Sequence, residues 1–312
     1  MYNRGLGNMN LADEYNKINN SFTKTVVYHV GVAAGFHSEV DAMMQCMLYC
    51  YVNKIKFILY ADDANFAGGH GWNEFFESFC EENHDRMNHI ANYRLPISWY
   101  RVDRKILARI LKKKLGVDYL TFDIFGKCIP REYSTVVEVE WPLFNIKGTN
   151  LGEFAKLSKI ALKYNKKTLK EVNELIATVQ LPEKYVSIQF RGGDKSLEYN
   201  NLINTKDALE KINMNISDIF IFTDDYRFVR EVKELRPQWN VYTLTRENEC
   251  GYINSKFQKL PWNEKRKDMI KLFAMVEICL ASYIHFGDEQ ACVNNYIKSL
   301  KSNESYYSIW ER

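Results

Sequence analysis

Strand-like runs followed by helix-like runs recur along this chain in two series, and that order dictates what it can fold into. In the second series, apolar-rich runs at 185–190, 218–222, 240–244 and 282–286 predict strands, and helical spacing marks 206–213, 227–235, 264–280 and 289–300. In the first series, strands are predicted at 25–30, 55–60 and 119–122, with helices over 38–53, 72–82 and 105–115. Helical patterns at 151–164 and 168–179, joined by a lysine run, then lead to Pro182. A repeated β-then-α order closes as a parallel sheet with helices on both faces. Two series of similar size predict an α/β chain of two Rossmann-like parallel-sheet domains facing a cleft, residues 1–165 and 166–312. Residues 1–22 are polar and rich in Asn and predict a frayed or wrapping arm.

A formal net charge of +3 from nearly balanced acids and bases argues against a dedicated nucleic-acid binder, which normally carries a strongly basic face. The lysines clustered at 112–114 and 163–167 fit solvated helix ends as well as a basic patch. Cys46, Cys50, Cys80, Cys128, Cys250, Cys279 and Cys292 form no CxxC pair and no metal-ligand ladder, so reduced thiols are expected. No N-terminal apolar run resembles a signal peptide, and no run of about 18 apolar residues could span a bilayer. A cytoplasmic or otherwise soluble protein is expected.

The candidate site centres on 185–196, YVSIQFRGGDKS. A buried strand here stops at Arg191, followed by Gly192, Gly193, Asp194 and Lys195. The carboxyl end of a parallel strand opens where ligands bind. An arginine there can grip a phosphate with two parallel hydrogen bonds, and glycines let a ligand approach the backbone. A tight Gly-Gly turn with a surface ion pair fits the same spacing, and both readings stay open. The next strand ends in Thr223, Asp224 and Asp225, where a carboxylate could position Arg191 or meet a ligand hydroxyl. Thr223 or Asp225 could instead cap the following helix.

In the first series, GVAAGFHSEV (31–40) joins strand to helix. Gly35, Phe36, His37 and Ser38 form its candidate loop, with Ser38 as expected helix N-cap and His37 as the one histidine chosen for chemistry. His29, His70, His84, His89 and His285 show no metal-ligand spacing, and Asp62-Asp63 reads as a loop start, so no metal is expected. Neither GxSxG nor GxxxxGK[ST] is present, which counts against a serine hydrolase or a P-loop enzyme.

Four segments together resemble the α-1,6-fucosyltransferase superfamily, which includes the nodulation fucosyltransferases and, more distantly, the protein O-fucosyltransferases. They are 31–59, the Trp-containing GWNEFFESFCEE (71–82), YVSIQFRGGDKSLE (185–198) and IFIFTDDYRFVREVKELRP (219–237). A fifth, weaker match is EICLASYIHFGDEQACVNNYI (277–297). The resemblance implies a GT-B-like fold and an inverting, metal-independent transfer of a sugar from a nucleotide donor to a glycan hydroxyl. It implies that Arg191 grips the donor's β-phosphate, that Lys195 assists, and that Glu198, with a one-residue shift, is the general base, with Asp194 its nearest competitor. A preorganised cation stabilises the charge left on a departing diphosphate, and a carboxylate can take the acceptor's proton.

The sequence departs from the family pattern at the donor side. Gln189 replaces a histidine that reads guanine, the aspartate that helps it aligns nearest Ala274, and Asp288-Glu289, followed by Gln290, stand where serines meet the donor phosphates. GDP-fucose is the favoured donor and another nucleotide sugar such as a UDP-sugar the alternative. A catalytically inactive sugar-binding module is a third reading. A dinucleotide oxidoreductase would need GxGxxG where GVAAGFHS stands.

Overall fold

The computed structural model describes residues 11–31, 34–94, 102–128, 139–141, 146–148, 157–193, 203–212 and 215–310. The chain divides into two compact units, Met1–Lys166 and Lys167–Arg312.

In the first unit, β1 (Lys24–His29), β2 (Ile55–Tyr60) and β3 (Tyr119–Leu120) run parallel in the order β2-β1-β3. Val26, Val27, Tyr28, Phe57 and Leu59 are all fully buried, the continuous apolar run of strands covered on both faces. Helices α1 (Leu11–Asn19), α2 (Phe36–Val52), α3 (Met87–Ala91), α4 (Val102–Leu115) and α5 (Thr121–Cys128) surround them. Ala108 and Leu111 of α4 pack on Val27, Ile58, Tyr60 and Leu120. A short antiparallel pair, β4 (Val139–Trp141) and β5 (Ile146–Gly148), completes the described strands of this unit.

Three expectations change here. The arm contains a real helix, α1, and its last residue finishes the sheet edge. Buried Asn19 accepts from the Phe57 amide (2.7 Å) and donates to the Phe57 carbonyl (2.9 Å), as a further strand would. The expected helix over 72–82 is instead a 3-10 turn, Gly71–Glu74, followed by extended chain. Trp72, Phe75, Phe76 and Phe79 have helical spacing and are all buried, but the backbone finds partners elsewhere. Leu59 bonds Glu81 and Asn83, and Phe75 and Glu77 bond Asn165 and Lys163. Tertiary bonds thus take the place of helical ones. The expected strand over 119–122 is two residues long and turns directly into α5, where the Asp123 carboxylate accepts from the Leu120 amide (2.8 Å). Of the helical pattern at 151–164, residues 157–161 are helical and 151–156 lie outside the described residues.

Helix α6 (Lys166–Ala177) begins at the last residue of the first unit, and the second unit holds a five-stranded parallel sheet in the order β10-β9-β6-β7-β8. The strands are β6 (Val186–Phe190), β7 (Asp218–Thr223), β8 (Asn240–Thr243), β9 (Ile284–Gly287) and β10 (Tyr306–Ser308). Helices α7 (Thr205–Glu210) and α8 (Tyr226–Leu235) cover one face through Leu209, Phe228 and Val232 against Ile188, Ile219 and Ile221. After the single turn α9 (Asn254–Phe257), helices α10 (Trp262–Ala281) and α11 (Cys292–Leu300) cover the other face. Their Met275, Val276 and Ile297 meet Phe220 and Phe222. The alternation along β7 assigns the two faces, since successive strand residues point to opposite sides. Strand β10 was absent from the sequence expectation because three residues, one of them exposed, carry no readable period.

All seven cysteines are free thiols. Among the described residues no helix is long and apolar enough to cross a membrane.

Candidate functional site

Strand β6 lies at the middle of the second sheet, and its end stands beside that of β7, with Phe190 paired to Thr223. Arg191, next in the chain, carries its guanidinium Nη1 3.1 Å from Asp224 Oδ2 and its Cζ 4.9 Å from the centre of the Tyr252 ring. Asp224 is itself pinned: Oδ1 accepts from the Gly192 amide (2.7 Å) and Oδ2 from the Tyr252 amide (2.8 Å). Its carbonyl accepts from the Gly251 amide (2.8 Å). A carboxylate fixed by backbone donors on one side and an aromatic face on the other orient the fork of a cation.

The two glycines serve the chain before any ligand. Gly193 has φ +62°, and a Cβ there would lie 2.6 Å from the Tyr252 nitrogen. Gly251, at φ +102°, faces it, and a Cβ would stand 2.5 Å from the Gly193 Cα. The close approach permitted by glycine is therefore used by the 250–252 segment against 192–193. Asp225 caps α8, accepting from the Arg227 amide (3.0 Å) and from the Arg227 guanidinium, whose hydrogen bonds hold its carboxyl below the usual range. Thr223 makes a local turn, accepting from the Asp225 amide (3.1 Å). The capping alternative for Asp225 is the one that its geometry satisfies.

Gln189 is buried, and its Oε1 accepts from Asn294 Nδ2 (2.5 Å). Asn294 continues to His285 Nε2 (2.9 Å), and His285 Nδ1 lies 2.8 Å from Ser187 Oγ. Ser187 in turn meets Ser282 (2.8 Å). This buried polar chain reaches Gln189 one residue short of the strand's end. Burial pushes His285 down to about 4, so it stays neutral near pH 7. Asp288 accepts from the Trp310 indole (2.7 Å) and the Gln290 amide (3.0 Å), and Glu289 pairs with Lys298. Both carboxylates thus have partners within the chain.

In the first unit the helix N-cap is Gly35, not Ser38, which sits inside the first turn of α2 with Phe36 and His37. His37 is buried beside the Phe36 ring (5.1 Å) and pushed down to about 3 by that burial, so it takes up no proton near neutrality. The reason Ser38 is not needed is Glu39. Its fully buried carboxylate accepts from the amides of Gly31 (3.0 Å) and Ala34 (2.8 Å) and pairs with Arg94. The loop that could have cradled an anion at a helix start contains one of its own.

A second cluster escaped sequence reasoning because its members are far apart in the chain. Asp63 bridges His29 Nε2 (2.7 Å) and His89 Nδ1, while Asp62 meets His84 Nδ1 (2.9 Å). Burial raises the Asp63 carboxyl, and the hydrogen bonds from the two histidines outweigh that and hold it below its usual range. Among the described residues no group of His, Cys, Asp and Glu could hold a metal ion. Asp194, Lys195 and Glu198 lie outside the described residues.

No protein-family model matches the chain, and no curated protein matches it in sequence. Solved structures do. A NodZ α-1,6-fucosyltransferase soaked with GDP-fucose matches with TM-score 0.51 at 10% identity, over 89% of this chain and 92% of that one. The fucosyltransferase NodZ from Bradyrhizobium matches with TM-score 0.51 at 12% identity, over 88% and 91%. POFUT1 in complex with GDP-fucose matches with TM-score 0.52 at 9% identity, over 93% and 98%. This chain is similar in fold to all three, as the family resemblance of its segments implied.

Proposed function

We propose that this chain is a glycosyltransferase that moves a sugar from a nucleotide donor, with GDP-fucose the favoured donor, onto a glycan hydroxyl. The observation that carries the reading is Arg191, oriented by Asp224 and Tyr252 at the carboxyl end of the central strand β6. It stands on a fold similar to that of proteins solved with GDP-fucose.

In this reading the second unit binds the donor and the first unit serves the acceptor. The internal carboxylate of Glu39 supports that division, because an occupied helix start disfavours phosphate in the first unit. Arg191 and Lys195 stabilise the charge on the departing diphosphate without a metal. Glu198 takes the acceptor's proton as the hydroxyl attacks the anomeric carbon from the far side, inverting it. Gln189, whose oxygen is committed to Asn294, keeps the donor base open between guanine and another base such as uracil.

The test is a thermal-shift panel of GDP-fucose, GDP, UDP-sugars and their nucleotides, followed by a transfer assay with and without excess chelator. A bound ligand raises the melting temperature by mass action. Stabilisation by one nucleotide sugar and transfer that persists in chelator are expected. Absence of stabilisation by every nucleotide would overturn the reading, and activity restored only by manganese or magnesium would overturn its metal-free mechanism.

A further inference from the structure

The lysine run at 112–114 belongs to a helix whose outer face the sugar-transfer reading does not use. Helix α4 is held in place by Ala108 and Leu111, and its flanks are tied as well. Lys112 pairs with Asp123 (2.6 Å), Lys114 with Asp85 (2.5 Å), and Arg104 lies 4.8 Å over the Tyr93 ring. The outward face is different. Lys105, Arg109 and Lys113 form a row at four-residue spacing, all exposed and without an ion pair among the described residues. Beside that row stand Ile106 and Ile110, also four apart, at 51% and 48% exposure. Ile90, on the adjoining α3, is 53% exposed, and these three are the exposed isoleucines of the described chain.

We propose that this face docks the protein, lying flat, on an anionic membrane surface. A row of unpaired cations along two bare aliphatic side chains is the chemistry of an interfacial helix. The aliphatic groups enter the headgroup boundary while the cations meet lipid phosphates and carboxylates. A folded acidic protein is the weaker fit. Lysine is depleted from protein interfaces and aromatic anchors are enriched there, whereas this face offers lysine and no exposed aromatic on α4. Docking of this kind needs no spanning helix and uses none of the residues around Arg191, so it stands whether or not the sugar-transfer reading does.

The experiment is flotation of the full chain with vesicles of phosphatidylcholine alone or with about one third phosphatidylserine or phosphatidylglycerol, at low salt and in high salt. The protein is expected to float with the anionic vesicles only and to be released by salt. Lys105→Gln/Arg109→Gln/Lys113→Gln should weaken that partition about a hundredfold, since each cation near such a surface contributes independently. Ile106→Ser/Ile110→Ser should weaken it about tenfold with the salt dependence retained. Circular-dichroism melts would show that these surface variants remain folded. Failure of the parent chain to float with anionic vesicles, or equal flotation with phosphatidylcholine alone, overturns the proposal. So does partition that ignores the isoleucines and is matched by binding to soluble polyglutamate, which identifies a polyanion site and not a lipid surface.

Discussion

Asp224 holds Arg191 from the neighbouring strand end, at 3.1 Å, while its two carboxylate oxygens are themselves held by the amides of Gly192 and Tyr252. The guanidinium is therefore positioned by the chain alone. Arg191→Lys keeps the charge and loses both the fork and the stacked plane, and should lower turnover by about a hundredfold or more. Asp224→Asn keeps the shape and should cost less, about tenfold, through a loosened arginine. Initial rates together with donor titrations test this. Near-normal turnover in Arg191→Lys sinks the assignment.

Gly193 and Gly251 make a separable prediction about stability. Both have positive φ, and a Cβ would run into facing backbone at either, that of Tyr252 for Gly193 and that of Gly193 for Gly251. Gly193→Ala should therefore destabilise the second unit by more than about 2 kcal/mol, from left-handed strain plus displaced backbone. Gly35→Ala is the control, since φ there is −67° and a Cβ meets nothing within 4 Å. It should change stability by less than about 1 kcal/mol. Denaturant melts of the two variants decide, and equal effects would mean that the 192–193 and 250–252 segments yield easily.

Much of this arrangement was legible in the sequence for a physical reason. Strands β1, β2, β6 and β7 are buried runs long enough to show themselves, and their order fixed the parallel sheets. The placement of Arg191 beside Asp224 followed from two strands ending at the same sheet edge. What stayed hidden depends on partners distant in the chain. The aromatic spacing of 72–79 suits a helix until Leu59 and Asn165 take its backbone bonds. Glu39 looks like a first-turn acid on a helix until Arg94, 55 residues away, comes to pair with it. Asp63 gathers His29 and His89 from different elements, and no local spacing announces that.

His285 gives a pH dependence whose sign can be worked out. Burial holds it near 4 in the folded chain against an ordinary 6.5, its bond to Asn294 raising it and Lys301 lowering it further. Between those values the unfolded chain binds a proton that the folded chain does not. Its share of stability is thus complete above about pH 6.5 and is lost as pH falls towards 4, by about 3 kcal/mol at most. His285→Gln should flatten the fall in stability between pH 6.5 and 4 by about one proton's worth. Urea melts across that range measure it, and an unchanged slope would show that His285 charges freely.

Glu39 and Arg94 should behave as a unit. Glu39→Gln removes the charge opposite a guanidinium whose Nε is already buried without a partner, and should cost about 3 kcal/mol. Adding Arg94→Met, which removes the orphaned cation, should recover part of that loss. A double-mutant cycle in denaturant reads the coupling, and strict additivity would mean that the pair contributes nothing beyond its separate contacts.

The last prediction concerns the proton that the proposed transfer would take from its acceptor. Glu198 follows Lys195 by three residues in the segment after the Gly192-Gly193 turn, and Asp194 is its nearest competitor. A base acts on the proton in flight and not on the resting donor, so its loss should lower turnover and leave donor affinity nearly unchanged. Glu198→Gln should therefore bind the nucleotide sugar like the parent and transfer it at least about a hundredfold more slowly. Asp194→Asn should retain more activity if Asp194 only orders its own segment. Should Glu198→Gln transfer normally while Asp194→Asn binds donor and is dead, the base is Asp194. The carboxylate that works would then be the one that directly follows Gly192-Gly193 in the sequence.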